Sequence, residues 1–506
     1  MRFLAALVFC GSLAYAHIGS PDIYLDGSAG PYSLFITVRP PLVIPGVAEI
    51  EVRASSVDVT GIQAVPMPMS GAGAKLAPVP DQLRVSPQDR QSFTGALWLM
   101  APGSWQVRLT VTGVRGPASL SVPVPAAARA VKSMQAGLGT VLLLLGILLS
   151  AGVIAMTGAS VREVRLPPGT LPSARQVRAS RIAMGVSCAM LALLLWGGYH
   201  WWGQEATAYG ENVYKPLQMK ASLSPSHLLT LRLTDPGWLD APGWRALFTR
   251  SVDDFVPDHN HIMHLYALRQ PGLDRVYHLH PDVTGPGIFA LQLPSMAAGT
   301  YNLYADVVHQ NGFPETLVSK LYLESDVNGR ALGLDEAAGS GKPWSEQSAS
   351  DTSAFTLPDS YRMSWLRKPG DVPHARAAQA FRFRLTRPDG TPQPDMALYM
   401  GMLGHAAFVK TDGTVFAHIH PSGTVSMAAL SLAQQQTTAS APADKSAETM
   451  GEMEGMTHAA PNASGSLPNE VTFPYGFPSA GRYRIFVQMK HGDAVETGIF
   501  DVSVSW

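Results

Sequence analysis

Two segments of this chain repeat one pattern of four histidines. A first histidine is followed after 14 or 13 residues by an H-x-H pair, and a last histidine follows the pair after 29 or 71 residues. Imidazole nitrogens are good ligands for Cu, Zn, Ni and Fe. The repeat therefore predicts two copies of one metal site. The two ligand sets are His264, His278, His280 and His309, and His405, His418, His420 and His491.

The residues around each H-x-H pair are typical of a strand that ends at a proline. The two segments read VYHLHP and VFAHIHP, ending at Pro281 and Pro421. Residues two apart on a strand point to the same face, so both histidines of a pair can reach one ion. The second histidine of each pair precedes the proline and could instead fix a turn.

The last histidine of each set ends a segment that occurs three times. AGTYNLYADVVH and AGRYRIFVQMKH align with PGSWQVRLTVTG, in which Gly113 replaces the histidine. The Gly-x-aromatic strand is therefore predicted to be structural. The histidines are predicted to be an addition to two of the three copies.

Methionines favour copper among the metals that imidazole binds. His259 and His261 of the first segment align with Met400 and Met402 of the second. Thioethers are soft ligands that select copper, above all Cu(I). We therefore expect copper, as Cu(I) or Cu(II), with Met402 among the ligands; zinc also fits the histidines.

A second group of methionines lies in the polar segment ETMGEMEGMTH. It contains Met450, Met453, Met456 and His458. This spacing predicts a flexible arm that collects Cu(I). The alternative is a chance composition in a loop that tolerates methionine.

The N-terminal residues 1–16 are typical of a secretory signal with a small-residue cleavage site. Cleavage after Ala16 would leave His17 as the amino terminus, where the free amine and the ring can chelate one copper ion. The first domain contains no other histidine, so a complete three-nitrogen site cannot form within it. Asp22 and Asp26 could supply oxygen ligands, another domain could donate a histidine, or His17 is there by chance.

Two further apolar segments are long enough to span a bilayer. They are residues 133–157 and 181–202. The loop 158–180 between them has four arginines and one glutamate, which the positive-inside rule places in the cytoplasm. The sequence therefore predicts a bacterial inner-membrane protein, held in the lipid bilayer, with its other domains in the periplasm.

The rest of the chain is predicted to be mainly β. Short apolar runs alternate with Pro and Gly turns, which indicates three immunoglobulin-like or cupredoxin-like β-sandwich domains in addition to the two transmembrane α-helices. We expect these sandwiches at 17–127, 206–326 and 358–506. Residues 327–357 are predicted to be a linker, and the Met-rich insert 431–470 is predicted to be disordered.

Charge and cysteine content exclude two classes of site. The chain has 37 basic and 38 acidic residues, so it shows no electrostatic signature of nucleic-acid binding. Its two cysteines, Cys10 and Cys188, lie in the signal and in an apolar segment. Neither is placed for a disulfide or a thiolate metal site.

The DHNHIMH segment, the HLHP and HIHP turns and the A-G-x-Y strand resemble those of bacterial periplasmic copper-handling β-sandwich domains, the CopC-like and YtkA-like modules. Some of these are fused to membrane helices. The resemblance covers the second and third sandwiches and, more loosely, the first. It implies proteins that bind or pass copper without catalysis. It also implies an N-terminal site that needs a partner histidine in the same domain, which this chain lacks.

The predicted function is copper binding in the periplasm, for sequestration, resistance or delivery. The expected partners are a copper donor or acceptor protein, an efflux system or a cuproenzyme, and no nucleic acid. Two alternatives stay open. Histidine sites with free coordination positions could serve a copper-dependent redox enzyme, or the histidines could respond to pH in a structural or sensor protein.

Overall fold

The computed structural model describes residues 17–19, 21–131, 134–239, 249–345, 351–368, 370–439 and 466–506. The fold is mainly β, as predicted, with six sheets among the described strands. The chain divides into two compact units. One contains residues 1–127 and 215–506, and the other contains residues 128–214.

Strand β1 (His17–Ile18) opens the described chain. The first sandwich follows, with sheet orders β10-β9-β5-β6 and β2-β3-β4-β8-β7. Its elements are β2 (Ile23–Ala29), β3 (Tyr32–Arg39), β4 (Gly46–Ala54), β5 (Val59–Pro68), a 3-10 helix (Ala72–Lys75), β6 (Asp81–Gln82), β7 (Arg84–Val85), β8 (Ser92–Leu99), β9 (Gly103–Gly113) and β10 (Ala118–Ala126).

The second sandwich has sheet orders β11-β12-β17-β16 and β13-β18-β14-β15-β20, with β19 paired to β18. Its strands are β11 (Gln218–Leu223), β12 (Leu228–Thr234), β13 (Phe255–Val256), β14 (His264–Gln270), β15 (Arg275–Leu279), β16 (Asp282–Gly285), β17 (Ile288–Gln292), β18 (Gly299–His309), β19 (Pro314–Leu323) and β20 (Ala337–Ser340).

The third sandwich has sheet orders β21-β22-β23-β27 and β1-β26-β25-β28-β24, with β29 paired to β28. Its elements after β1 are β21 (Ala354–Thr356), β22 (Arg362–Trp365), β23 (Gln379–Thr386), β24 (Met396–Ala397), β25 (His405–Lys410), β26 (Val415–Ile419), β27 (Glu470–Tyr475), β28 (Gly481–His491) and β29 (Ala494–Val504), together with a helix, Met427–Ala439, called α3 below.

The Gly-x-aromatic segment forms an equivalent strand in all three sandwiches. β9, β18 and β28 are each 11 residues long and begin at a glycine. In each, the aromatic ring donates a hydrogen bond of 2.8 Å to a carbonyl four residues upstream, from Trp105, Tyr301 and Tyr483. The first residue has φ between 128° and 139°, a conformation that glycine adopts without strain. The shared segment is thus a structural corner, like the tyrosine corner of other sandwiches.

The unit 128–214 consists of two helices, α1 (Ala136–Glu163) and α2 (Ala174–Glu211). Both are long and apolar enough to cross a membrane. They pack closely near Gly158, whose carbonyl accepts a hydrogen bond of 2.7 Å from Ser180. α1 continues past residue 157 and α2 begins before residue 181, so helical structure extends into both ends of the predicted loop 158–180. α2 starts early because Ser173 and Gln176 form a capping box.

Two segments predicted to be irregular contain regular structure. Residues 431–439, predicted to be disordered, are the last part of α3. The sequence MAALSLAQQQ consists largely of good helix formers, Leu430 and Ala433 are buried, and the Asp258 carboxylate accepts the backbone N–H of Ala428 at the first turn. Residues 440–465 lie outside the described residues.

The predicted linker 327–357 is wrong in part, because it contributes strands to two sheets. β20 pairs with the edge strand β15, and β21 pairs with β22. Gly339 also lets β20 lie close to β29 of the third sandwich, since a Cβ atom on Gly339 would lie 2.5 Å from the Thr497 side chain.

Candidate metal centre

The histidine-bearing sheets of the second and third sandwiches are buried on both faces. In β14, Leu265 and Ala267 point into the core of their own sandwich, whereas Tyr266 and Leu268 pack against the third sandwich. In β26, Ile419 points into its own core and Phe416 faces the second sandwich. The two sheets therefore dock face to face through an apolar layer, and Tyr304 and Phe416 stack within it at 4.2 Å.

Six histidines extend this docked layer at one end. The alternation of side chains along a strand places them there, because residues two apart share a face. His264 lies on the same face as Tyr266, and His418 lies on the same face as Phe416. His264 and His405 are the first residues of β14 and β25. In each H-x-H pair, the first histidine lies in β15 or β26, and the second follows directly after the end of the strand.

The six histidines form two triads, called triad 1 and triad 2. In triad 1, the Nδ1 atom of His264 lies 3.2 Å from the Nε2 atoms of both His278 and His280. In triad 2, the Nδ1 atom of His405 lies 3.1 Å from the Nε2 atom of His418, and His420 completes the group. The three ligand atoms of each triad lie within 4.8 Å of one another, which is compact enough to surround one ion at bond lengths of about 2 Å.

Hydrogen bonds to backbone carbonyls fix which nitrogens carry lone pairs. The Nε2–H of His264 donates to the Asp258 carbonyl at 3.0 Å, and the Nδ1–H of His420 donates to the Val425 carbonyl at 3.2 Å. In these two rings, the nitrogen that points into the triad then carries the lone pair that can bind a metal ion. Metal-binding histidines are commonly oriented in this way.

Burial keeps the triad imidazoles neutral. It lowers the pKa of His264 to about 4 and that of His420 to about 3, against an ordinary value of 6.5. Burial and neighbouring rings also hold the pKa values of His278, His405 and His418 well below 6.5. Since protons compete with metal ions for imidazole, rings that are already neutral are ready to bind near pH 7.

Each triad is supported by a side chain from the other sandwich. The Nδ1 atom of His418 donates to the Asp306 carboxylate at 3.2 Å, and the Nδ1 atom of His278 donates to the Gln488 amide oxygen at 3.0 Å. Asp306 and Gln488 occupy equivalent places on β18 and β28 and pair in register with His264 and His405. The two sandwiches thus exchange equivalent contacts across the interface. The sequence analysis missed both residues, although each lies two positions after an aromatic residue of the docked face.

His259 and His261 join the two triads into a larger cluster. The ring of His259, in the second sandwich, lies 5.2 and 5.0 Å from the rings of His405 and His420 in the third. The ring of His261 stacks on His280 at 3.7 Å. The Nε2 atom of His259 is buried and has no hydrogen-bond partner among the described residues. Asp258, His259 and His420 form a further group that could hold an ion.

A cavity of about 520 Å³ lies beside this cluster. His259, Met400, Met402 and Met427 contribute to its walls. Met402 therefore lies at the edge of the cluster, in the wall of the cavity.

The structure does not bring His309 and His491 into the triads. Each is the last residue of a strand, at a position whose side chain belongs to the face that points into the core of its own sandwich. His309 continues the alternate core positions Leu303, Ala305 and Val307. His309 contacts Asp254 at 2.5 Å and Glu315 at 3.3 Å. His491 has its own group with Asp359 and Glu496. Each triad thus has three histidines, where the sequence analysis placed four in each set.

His309 gives a prediction about pH. Burial lowers its pKa, but hydrogen bonds to Asp254 and Glu315 outweigh burial, and the net shift is upward. A histidine with a raised pKa stabilises the fold most below its unfolded value of about 6.5, and the stabilisation is lost as pH rises through the folded value. We expect His309→Gln to lower the free energy of unfolding by about 1.5 to 3 kcal/mol at pH 6. Denaturant titrations from pH 6 to 9 should show this difference shrinking; a constant difference would contradict the assignment.

The remaining predicted ligands lie apart from the triads or outside the described residues. The backbone of His17 pairs in β1 with Val415 of β26, three residues before His418. At about 3.3 Å per residue, this separation is about 10 Å along the strand. Its side chain, the predicted signal segment 1–16, and Met450, Met453 and Met456 are outside the described residues.

Comparisons with known proteins give only distant similarity. A family model for a domain of unknown function, DUF8832, matches residues 447–506. The comparison with curated proteins gives no match. Among solved structures, the chain is similar at 9% identity and a TM-score of 0.14 to a tetra-tandem repeat of a large adhesion protein, over 91% of this chain and 71% of that one.

A putative membrane anchored protein from Corynebacterium diphtheriae is similar at 8% identity and a TM-score of 0.15, over 96% of each chain. The BSP domain of a biofilm associated protein has the same identity and TM-score, over 95% of this chain and 83% of that one. TM-scores this low do not assign a common fold.

Proposed function

We propose that this protein binds copper through its two histidine triads and is anchored by its two apolar helices in a bacterial inner membrane, with the triads in the periplasm. One observation carries the proposal: each triad has three imidazole nitrogens within 4.8 Å of one another. Buried, neutral imidazoles suit late first-row metals. The thioethers of Met400, Met402 and Met427 at the adjoining cavity favour copper among them.

The proposed role is to hold copper and pass it on. Three-histidine sites leave coordination positions open, so an incoming ligand can bind before an outgoing one leaves. The adjoining cavity supports access by such a ligand. The proposed partner is a periplasmic copper donor or acceptor, an efflux system or a cuproenzyme, and the proposed outcome is copper sequestration, resistance or delivery.

The proposal is tested by copper stoichiometry on the full chain in detergent. We expect the wild type to bind about two Cu(I) ions under anaerobic, reducing conditions, one per triad. The variant with His264, His280, His405 and His420 changed to Ala should bind neither tightly, because each triad keeps only one ligand. A cooperative unfolding transition in this variant verifies that it is folded.

The matched control is the double variant His309→Gln, His491→Gln. It changes the histidines that lie outside the triads and should still bind two Cu(I) ions. Copper binding by the quadruple variant as tight as in the wild type would refute the triads as the site. Loading with zinc alone, when both metals compete, would contradict copper as the metal.

A further inference from the structure

The two triads lie against each other across the docked interface. The ring of His418 lies 5.4 Å from that of His278 and 5.5 Å from that of His264, and the rings of His278 and His405 are 6.0 Å apart. Imidazole nitrogens bind metal ions at about 2 Å. Ions bound in the two triads would therefore lie within about 10 Å of each other.

Two carboxylates face this paired site. The carboxylate of Asp306 accepts a hydrogen bond from His418 at 3.2 Å. Asp258 is 7% exposed and belongs to the group that includes His420. The imidazoles themselves carry no charge when they bind metal. Burial raises the pKa of the Asp306 carboxyl to about 7, and a cation bound nearby favours its ionised form. With Asp306 and Asp258 both ionised, two monovalent ions would match the charge of the two carboxylates, whereas two divalent ions would exceed it by two.

Two other carboxylates near the cluster do not change this balance. Asp335 lies 3.6 Å from His261 at the rim and is 46% exposed, so water screens its charge. Glu336 accepts the backbone N–H of His280, and its charge is already paired with Arg330.

The charge of each ion then determines whether both triads can be occupied at the same time. Coulomb repulsion is proportional to the product of the charges, so it is four times larger between two divalent ions than between two monovalent ions at the same separation. The triads are buried, and salt screens buried charges poorly. The first divalent ion should therefore strongly weaken binding of the second.

We propose that the two triads form one coupled centre that binds two monovalent copper ions together but only one divalent ion tightly. This inference rests on the proposed function and adds the oxidation state of the metal and the coupling of the sites. It also gives a reason for docking the two sandwiches with their histidines in contact: the shared centre distinguishes monovalent from divalent ions by their charge.

The test compares Cu(I) with Zn(II), a divalent ion that has no redox chemistry. The full chain in detergent is titrated anaerobically with each ion against a chromogenic chelator. Two Cu(I) ions should bind with dissociation constants within about tenfold of each other, and the second Zn(II) should bind at least about 100-fold more weakly than the first. Two equally tight Zn(II) ions would overturn the inference and leave the proposed function standing. Binding of neither ion would overturn both.

Variants that retain only one triad distinguish repulsion between two bound ions from a triad that binds divalent ions weakly by itself. His264→Asn with His280→Asn leaves triad 2, and His405→Asn with His420→Asn leaves triad 1. Each variant should bind one Cu(I), which shows that the remaining triad is intact. Each should also bind one Zn(II) about as tightly as the wild type binds its first. A variant that binds Cu(I) but binds Zn(II) weakly would show that its triad is simply poor for divalent ions, which would overturn the coupling.

Discussion

Replacing Arg484 by methionine should lower the free energy of unfolding by about 3 to 5 kcal/mol, because the change leaves a charge in the interface without its partner. The Arg484 side chain is 4% exposed and forms two contacts of 2.7 Å with the Asp501 carboxylate. Its remaining nitrogen donates to the carbonyls of Gly272, Leu273 and Lys342 at 2.9 to 3.1 Å. Arg484 thus joins the third sandwich to the turn between β14 and β15 of the second.

The control for this prediction is Arg384→Met, which makes the same substitution in an exposed ion pair. Arg384 contacts Glu470, and its side chain is 44% exposed. Exposed pairs typically contribute less than about 1 kcal/mol. Chemical denaturation of the two variants should therefore separate them clearly. Similar losses would mean that Arg484 does not hold the two sandwiches together.

The sequence predicted the positions of the histidines along the strands well. Each H-x-H pair does lie at a strand end, and His309 and His491 do end the shared corner strand. These predictions succeeded because they depend on local patterns: turn residues, proline and alternation. The fold class followed for the same reason.

The docking of the two sandwiches was not predicted, although one signal was present. Strands such as HLYAL of β14 and HAAFV of β25 are apolar at alternate and intervening positions alike, which is typical of strands covered on both faces. That signal does not say what covers the second face. The partner sheet is a long-range contact, and its choice depends on shape and on buried contacts such as those of Arg484 with the carbonyls of Gly272 and Leu273, which no local pattern encodes.

Whether His309 belongs to the metal site depends on which face of its strand it occupies. Aligned repeats show which residues are equivalent, but they do not show which face of a strand points to the site. Because His309 is an odd number of residues from Asp306, it lies on the opposite face from the triads. The register between β14 and β18 was needed to see this, and register is set by the whole sheet.

Replacing Asp306 by asparagine should weaken copper binding by triad 2 about 10- to 100-fold, the usual effect of losing a partner that orients a metal ligand and raises its basicity. Asparagine keeps the shape of the side chain and can still accept the hydrogen bond from His418. Its amide can donate to the Thr316 hydroxyl, which donates to Asp306 in the wild type, so the change removes the charge and keeps both contacts. The affinity is measured in the variant that retains only triad 2, with Cu(I) and a competing chelator. An unchanged affinity would show that the contact of 3.2 Å between Asp306 and His418 only packs the interface.

The equivalent position in the other triad provides the reverse experiment. Gln488 holds His278 as Asp306 holds His418, so Gln488→Glu gives triad 1 the carboxylate that triad 2 already has. Affinity for Cu(I) in the variant that retains only triad 1 should rise by about tenfold. Loss at one position and gain at the other would show that the sandwiches tune each other's sites through equivalent residues. If both changes weakened binding, the natural pairing of one acid with one amide would instead be optimal for packing.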